Sequence, residues 1–98
     1  MIYGLDNHTF ASIQQVISSV PGVDGALLYG SRARGDFKPY SDIDIAVYGD
    51  SLTLMHLAML EERIDNLLLP YNCDICLLSQ LRNEALIHNI QTEGKRIA

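Results

Sequence analysis

Three short apolar runs, Ala26–Tyr29, Asp42–Tyr48 and Asn72–Leu78, set what this chain can fold into. Each has the length and composition of a strand, and the second is rich in β-branched residues. Helical patterns separate them. Phe10, Ile13, Val16, Ile17 and Val20 recur at helical spacing after Asp6 or Asn7, either of which can cap a helix, and Pro21-Gly22 ends the pattern. Gly30-Ser31 turns the chain, with Ser31 expected to cap a short helix ending near Gly35. Asp36 to Tyr40 reads as a polar loop. Gly49-Asp50 is a turn, and Ser51 is expected to cap a long helix, Leu52 to Leu69, carrying Leu57, Leu60, Ile64, Leu67 and Leu68 up to Pro70. Ser79 is expected to cap a last helix, Gln80 to Glu93, with Gly94 as its left-handed terminating glycine. The order α-β-α-β-α-β-α predicts an α/β (α+β) fold, a small mixed sheet flanked by helices.

Residues 1–98 leave room for one domain and one modest core, so 1-98 reads as a single unit. Seven Lys and Arg stand against twelve Asp and Glu, a net charge of −5. An acidic chain makes a poor electrostatic partner for nucleic acid. No apolar run approaches the roughly 20 residues that span a membrane, and Met1 to Phe10 has no signal-peptide pattern. A cytoplasmic location is expected. Cys73-Asp74-Ile75-Cys76 has C-x-x-C spacing, but in an extended strand those positions lie about 10 Å apart, too far for a disulfide. With His8, His56 and His88 scattered, no zinc set forms, and the cysteines read as core thiols.

The unusual chemistry lies in the strands. Asp42 and Asp44 flank Ile43 at the start of an apolar run, on one face and about 7 Å apart along the backbone. Ionised carboxylates placed so repel, and burial adds a desolvation cost. A hard divalent cation resolves both, since Mg²⁺ accepts carboxylate and phosphate oxygens together. A plain alternative is a strand start with two solvated aspartates. Asp74 strengthens the metal reading, because it interrupts another apolar strand where charge is expensive. Its own alternative is an edge position facing water. If the strands are neighbours, three carboxylates meet, as a two-metal site for phosphoryl-type transfer requires.

Gly30-Ser31 follows a strand and opens a helix. Glycine allows close approach of a phosphate, and free N–H groups there attract anions. Arg32, Arg34 and Lys38 follow, so the one basic cluster of an acidic chain lies beside this turn. Tyr29, Tyr40 and Tyr48 lie near it; spacing does not choose among them as a base-stacking residue.

Gly30-Ser31, ten residues, then Asp42-x-Asp44 with a later strand carboxylate is the pattern of the DNA polymerase β-like nucleotidyltransferase superfamily. The run Gly30-Ser31-Arg32-Ala33-Arg34-Gly35 followed by Ser41 to Val47 resembles its minimal nucleotidyltransferase (MNT) branch, over nearly the whole chain. The resemblance implies that Gly30 and Ser31 hold the triphosphate of ATP, with Arg32 and Arg34 assisting at phosphate or acceptor. It implies two Mg²⁺ ions, or Mn²⁺, held by Asp42, Asp44 and Asp74, with Asp74 also activating an acceptor hydroxyl. Larger members hold the acceptor with a C-terminal helical domain that these residues do not include. The resemblance therefore implies a co-encoded helical protein of the HEPN type as partner, in a toxin–antitoxin pair where AMP passes to a tyrosine. Homo- or hetero-oligomers are both compatible. Two other functions compete with this one: a binding module that neutralises its partner by contact alone, and a small-molecule nucleotidyltransferase acting on, for example, an antibiotic hydroxyl.

Overall fold

In the computed structural model, which describes all 98 residues, the three apolar runs form β1 (Gly25–Tyr29), β2 (Ile43–Tyr48) and β3 (Cys73–Leu77). A fourth strand, β4 (Lys95–Arg96), completes a sheet of order β3-β2-β1-β4. β1 runs antiparallel to β2 and β4, whereas β2 and β3 are parallel. The parallel step needs a crossover, which α3 (Leu54–Asp65) supplies. The other helices are α1 (Asn7–Ser19), the single turn α2 (Ser31–Arg34) and α4 (Glu84–Glu93). The mixed sheet with helices is the architecture expected.

Strand alternation sorts the sheet into two faces. Ala26, Leu28, Ile43, Ile45, Val47 and Leu77 share one face and join Ile13, Ile17, Leu60 and Ile64 of α1 and α3 in one core cluster. Tyr29, Asp44, Ala46 and Asp74 point to the other. There α4 packs on β1, its terminating Gly94 against Leu27. Ala46 and Ile90 are fully buried but stand outside the main cluster.

The helix ends differ from expectation in instructive ways. Asp6 does cap α1, its carboxylate accepting the Thr9 N–H at 2.8 Å and the Thr9 hydroxyl at 3.0 Å. Ser31 does not cap α2; it is the first helical residue, the cap position is Gly30 at φ 76°, and no side chain caps there. α3 is capped by Thr53 rather than Ser51, because His56 three residues on completes a capping box. It ends at Asp65, well short of Pro70, as the chain unwinds through Leu68 at φ 54°. A single 3-10 turn, Leu78–Gln80, takes the place of the first turn of the last helix, and Asn83 rather than Ser79 is the cap. Gly94 is extended (φ −63°, ψ 143°), not left-handed, because the chain passes directly into β4. Cys73 and Cys76 are both free and only partly buried. No helix is long and apolar enough to cross a membrane.

Candidate active site

The site forms where the β2–β3 end of the sheet meets the turn after β1. Asp44 on β2 is in register with Tyr29 of β1 on one side and Asp74 of β3 on the other. The parallel pairing thus brings together the carboxylates of two strands separated by thirty positions. Asn72 starts that pairing by accepting the Ile43 N–H at 2.8 Å. Asp44 is half-buried, while Asp42, just before β2, and Asp74, on the edge strand, are exposed. Burial, then the negative charges of Asp74 and Asp42, hold the Asp44 carboxyl above the ordinary carboxylate range, against the pull of Arg34. Asp42 and Asp74 remain open to solvent beside it. No three acidic, His or Cys side chains close around one point as a ready cage. The three-carboxylate set expected from sequence is thus an open cluster centred on Asp44. Asp74 does occupy the water-facing edge position weighed as its alternative, and it also stands beside Asp44.

Gly30 touches this cluster. A Cβ placed there would lie 2.5 Å from the Asp44 Oδ2, and its φ of 76° suits glycine. The turn is therefore seated directly on the central carboxylate. Helix geometry leaves the N–H groups of the first turn of α2 without intrahelical acceptors. The free N–H groups of this turn begin next to the central carboxylate, an arrangement that would let a cation bridge protein and phosphate. An open set of carboxylate oxygens fits Mg²⁺, which is held by one or two carboxylates and substrate phosphates rather than by an all-protein cage. Beside Asp42 and Asp74 lies a cleft of about 430 Å³, bordered also by Ile64, Leu68 and Tyr71.

The two arginines part company. Arg34 is exposed, with long ion pairs to Asp36 (3.4 Å) and Glu93 (3.8 Å), and its charge reaches Asp44. Arg32, expected to assist at phosphate or acceptor, is only 1 % exposed. Its guanidinium donates to the carbonyls of Tyr3, Pro39 and Ser41 and is unavailable to phosphate. The pattern of residue types cannot show this, because helix direction turns Arg32 inward and Arg34 outward. Lys38 is exposed in the loop before Asp42.

Two further side chains belong to the site. Tyr29 and Cys76 meet at 3.7 Å between hydroxyl and thiol. Burial, and then that contact, push the Tyr29 hydroxyl upward, so it stays protonated. Burial, then the nearby aspartates, push the Cys73 thiol up to about 12, which favours the neutral thiol. Strand parity was the one signal for the Tyr29–Cys76 contact.

Residues 11–98 match the family model described as polymerase beta, nucleotidyltransferase. Among solved structures, a toxin–antitoxin with AMP-PNP is 24 % identical, TM-score 0.70, over 96 % of this chain and 73 % of that one. A tri-AMPylated Shewanella oneidensis HEPN toxin in complex with MNT antitoxin is 22 % identical, TM-score 0.70, over 96 % and 72 %. A mutant of the MntA–HpeT toxin–antitoxin is 25 % identical, TM-score 0.66, over 94 % and 71 %. No curated protein matches. These neighbours share the fold, and the family match covers the turn and all three aspartates: the chain belongs to the polymerase beta nucleotidyltransferase family.

Proposed function

We propose that this protein transfers a nucleoside monophosphate, AMP from ATP, to a tyrosine hydroxyl of a co-encoded helical protein of the HEPN type, and so acts as an antitoxin. The observation that carries the reading is Gly30 seated on Asp44, with Asp74 in register beside it. The structural neighbours that pair an MNT antitoxin with a HEPN toxin, one of them tri-AMPylated, support the choice of partner and of nucleotide. The acidic surface and the absence of a basic stripe favour a protein acceptor over nucleic acid.

In this reading the first-turn N–H groups and the Ser31 hydroxyl orient the triphosphate, and Arg34 neutralises part of its charge. Asp42, Asp44 and Asp74 would hold two divalent cations, Mg²⁺ or Mn²⁺, which would offset negative charge on the phosphoryl oxygens and the leaving oxygen. The acceptor oxygen bonds to the α-phosphorus, the bond to the bridging oxygen breaks, and pyrophosphate leaves. Asp74, exposed at the sheet edge, takes the hydroxyl proton. A tyrosine hydroxyl has a pKa near 10 and is a weak nucleophile without such help.

The test is to incubate the protein with ATP, Mg²⁺ and the neighbouring helical gene product and to weigh the product. A mass gain of one or more AMP units, absent in Asp42→Asn, is expected. Binding without any mass gain would overturn the transfer reading in favour of neutralisation by contact.

A further inference from the structure

We propose that Arg32 is the positioning residue of this site: one buried guanidinium that fixes the phosphate turn against both carboxylate strands. The proposal rests on the nucleotidyltransferase reading above and adds to it a residue that touches neither nucleotide nor acceptor.

Arg32 is a buried cation with no carboxylate partner; the ion pairs of the chain belong to Arg34. Such a charge is costly unless fully hydrogen-bonded. Here Nη1 donates to the Tyr3 carbonyl at 2.9 Å, and Nε and Nη2 donate to the Ser41 carbonyl at 3.1 and 2.9 Å. Nη2 also reaches the Pro39 carbonyl at 3.4 Å. The rings of Phe37 and Tyr71 flank the guanidinium, its central carbon 5.2 and 4.8 Å from their centroids.

These contacts lead into each part of the site. Arg32 follows Ser31 in α2, so its anchor fixes the phosphate turn. The Ser41 carbonyl is half of the peptide bond whose nitrogen belongs to Asp42. Holding it with two donors sets the plane from which Asp42 departs. Tyr71 lies three residues before Asp74, next to Asn72, whose carbonyl begins the β2–β3 pairing. The buried guanidinium thus ties together three segments remote in sequence, as outer partners orient the ligands of metal sites. Lysine cannot replace it, because an ammonium lacks the planar fork that bonds several carbonyls while lying against two rings.

The experiment compares wild type, Arg32→Lys and Arg32→Gln. Mn²⁺ affinity is read by electron paramagnetic resonance in the presence of a non-hydrolysable ATP analogue. Folding is read by circular dichroism and melting, and kcat and KM for ATP by transfer to the acceptor. The expected result is folded Arg32→Lys whose Mn²⁺ affinity falls by about 10- to 100-fold, with a drop in kcat and a rise in KM for ATP as the phosphate turn loosens. Wild-type Mn²⁺ affinity in folded Arg32→Lys would overturn the proposal. So would a loss that only tracks the unfolded fraction as temperature is varied. Should both Arg32 variants fail to fold, Tyr71→Leu removes one ring and keeps every hydrogen bond of the guanidinium. It should show a smaller loss of Mn²⁺ affinity, and unchanged affinity there would overturn the proposal. Wild type that binds Mn²⁺ but transfers no AMP overturns the transfer reading alone and leaves the Arg32 comparison standing.

Discussion

On one face of the sheet Leu28, Ile43, Ile45 and Val47 lie buried against α1 and α3; on the other, Asp44 stands half-buried between Tyr29 and the exposed Asp74. Both faces come from the same strands, one residue out of phase. The first face is filled by apolar side chains and contributes stability. The second is covered by α4 at β1, and at its β2–β3 end like charges are held together at a cost to the apoprotein. The difference puts the candidate site where the fold spends stability rather than gains it.

The sharpest way to break the comparison is Asp44→Asn. The substitution preserves shape and removes the central charge. Transfer should fall by several kcal/mol of transition-state stabilisation, on the order of 10²- to 10³-fold. The melting temperature of the metal-free protein should hold or rise, because repulsion from Asp74 and Asp42 is relieved. Added Mg²⁺ with ATP should stabilise wild type and not the variant. Equal stabilisation of both would remove Asp44 from the site.

The reverse signature belongs to the closed face. Ile17 of α1 is completely buried in the core cluster. Ile17→Ala should cost about 2–5 kcal/mol, and Ile17→Val about 0.5–1.5 kcal/mol. Denaturant unfolding measures the cost, and transfer per folded molecule should stay near wild type for the valine variant. A valine variant that is as stable as wild type yet inactive would show that the two faces are not separable.

The same division governs what could be read before the structure. The three main strands were legible because apolar runs bounded by turns leave few alternatives. Strand parity placed Asp42 and Asp44 on one face, and Asp74 could join them only if its strand were a neighbour, which the β2–β3 pairing provides. β4 was not legible: Lys95 and Arg96 are exposed and their pairing with Leu27 and Leu28 is made by backbone alone. The start of α3 was expected at Ser51 and falls at the Thr53 cap, decided by His56, one of three histidines scattered along the sequence. Arg32 was misread because two arginines after Gly-Ser look alike as symbols. Only the packing of Phe37 and Tyr71 around one of them tells the buried cation from the free one. What stayed hidden was side-chain direction in a four-residue helix, where no periodicity can form.

The smallest expected effect sharpens the comparison further, because it sets an aspartate of the closed side against those of the open one. Asp6 is held below the ordinary carboxylate value of 3.8 by the Thr9 N–H and then by the Thr9 hydroxyl. Its folded-state value being lowered, its contribution to stability is fully present above 3.8 and is lost as pH falls through the lowered value. Asp6→Ala should therefore lower the melting temperature slightly and by a constant amount from neutral pH down to about pH 5. Below 3.8 the gap to wild type should close, as the wild-type carboxyl protonates and ceases to cap well. Asp6→Asn keeps a capping oxygen and has nothing to titrate, so its melting temperature relative to Asp6→Ala should not depend on pH. Nucleotide binding should be untouched in both variants. A gap that persists unchanged into strong acid would mean that packing around Thr9, not the charged cap, supports α1. In that case the closed face would owe nothing to its aspartate, and charge would serve only the open one.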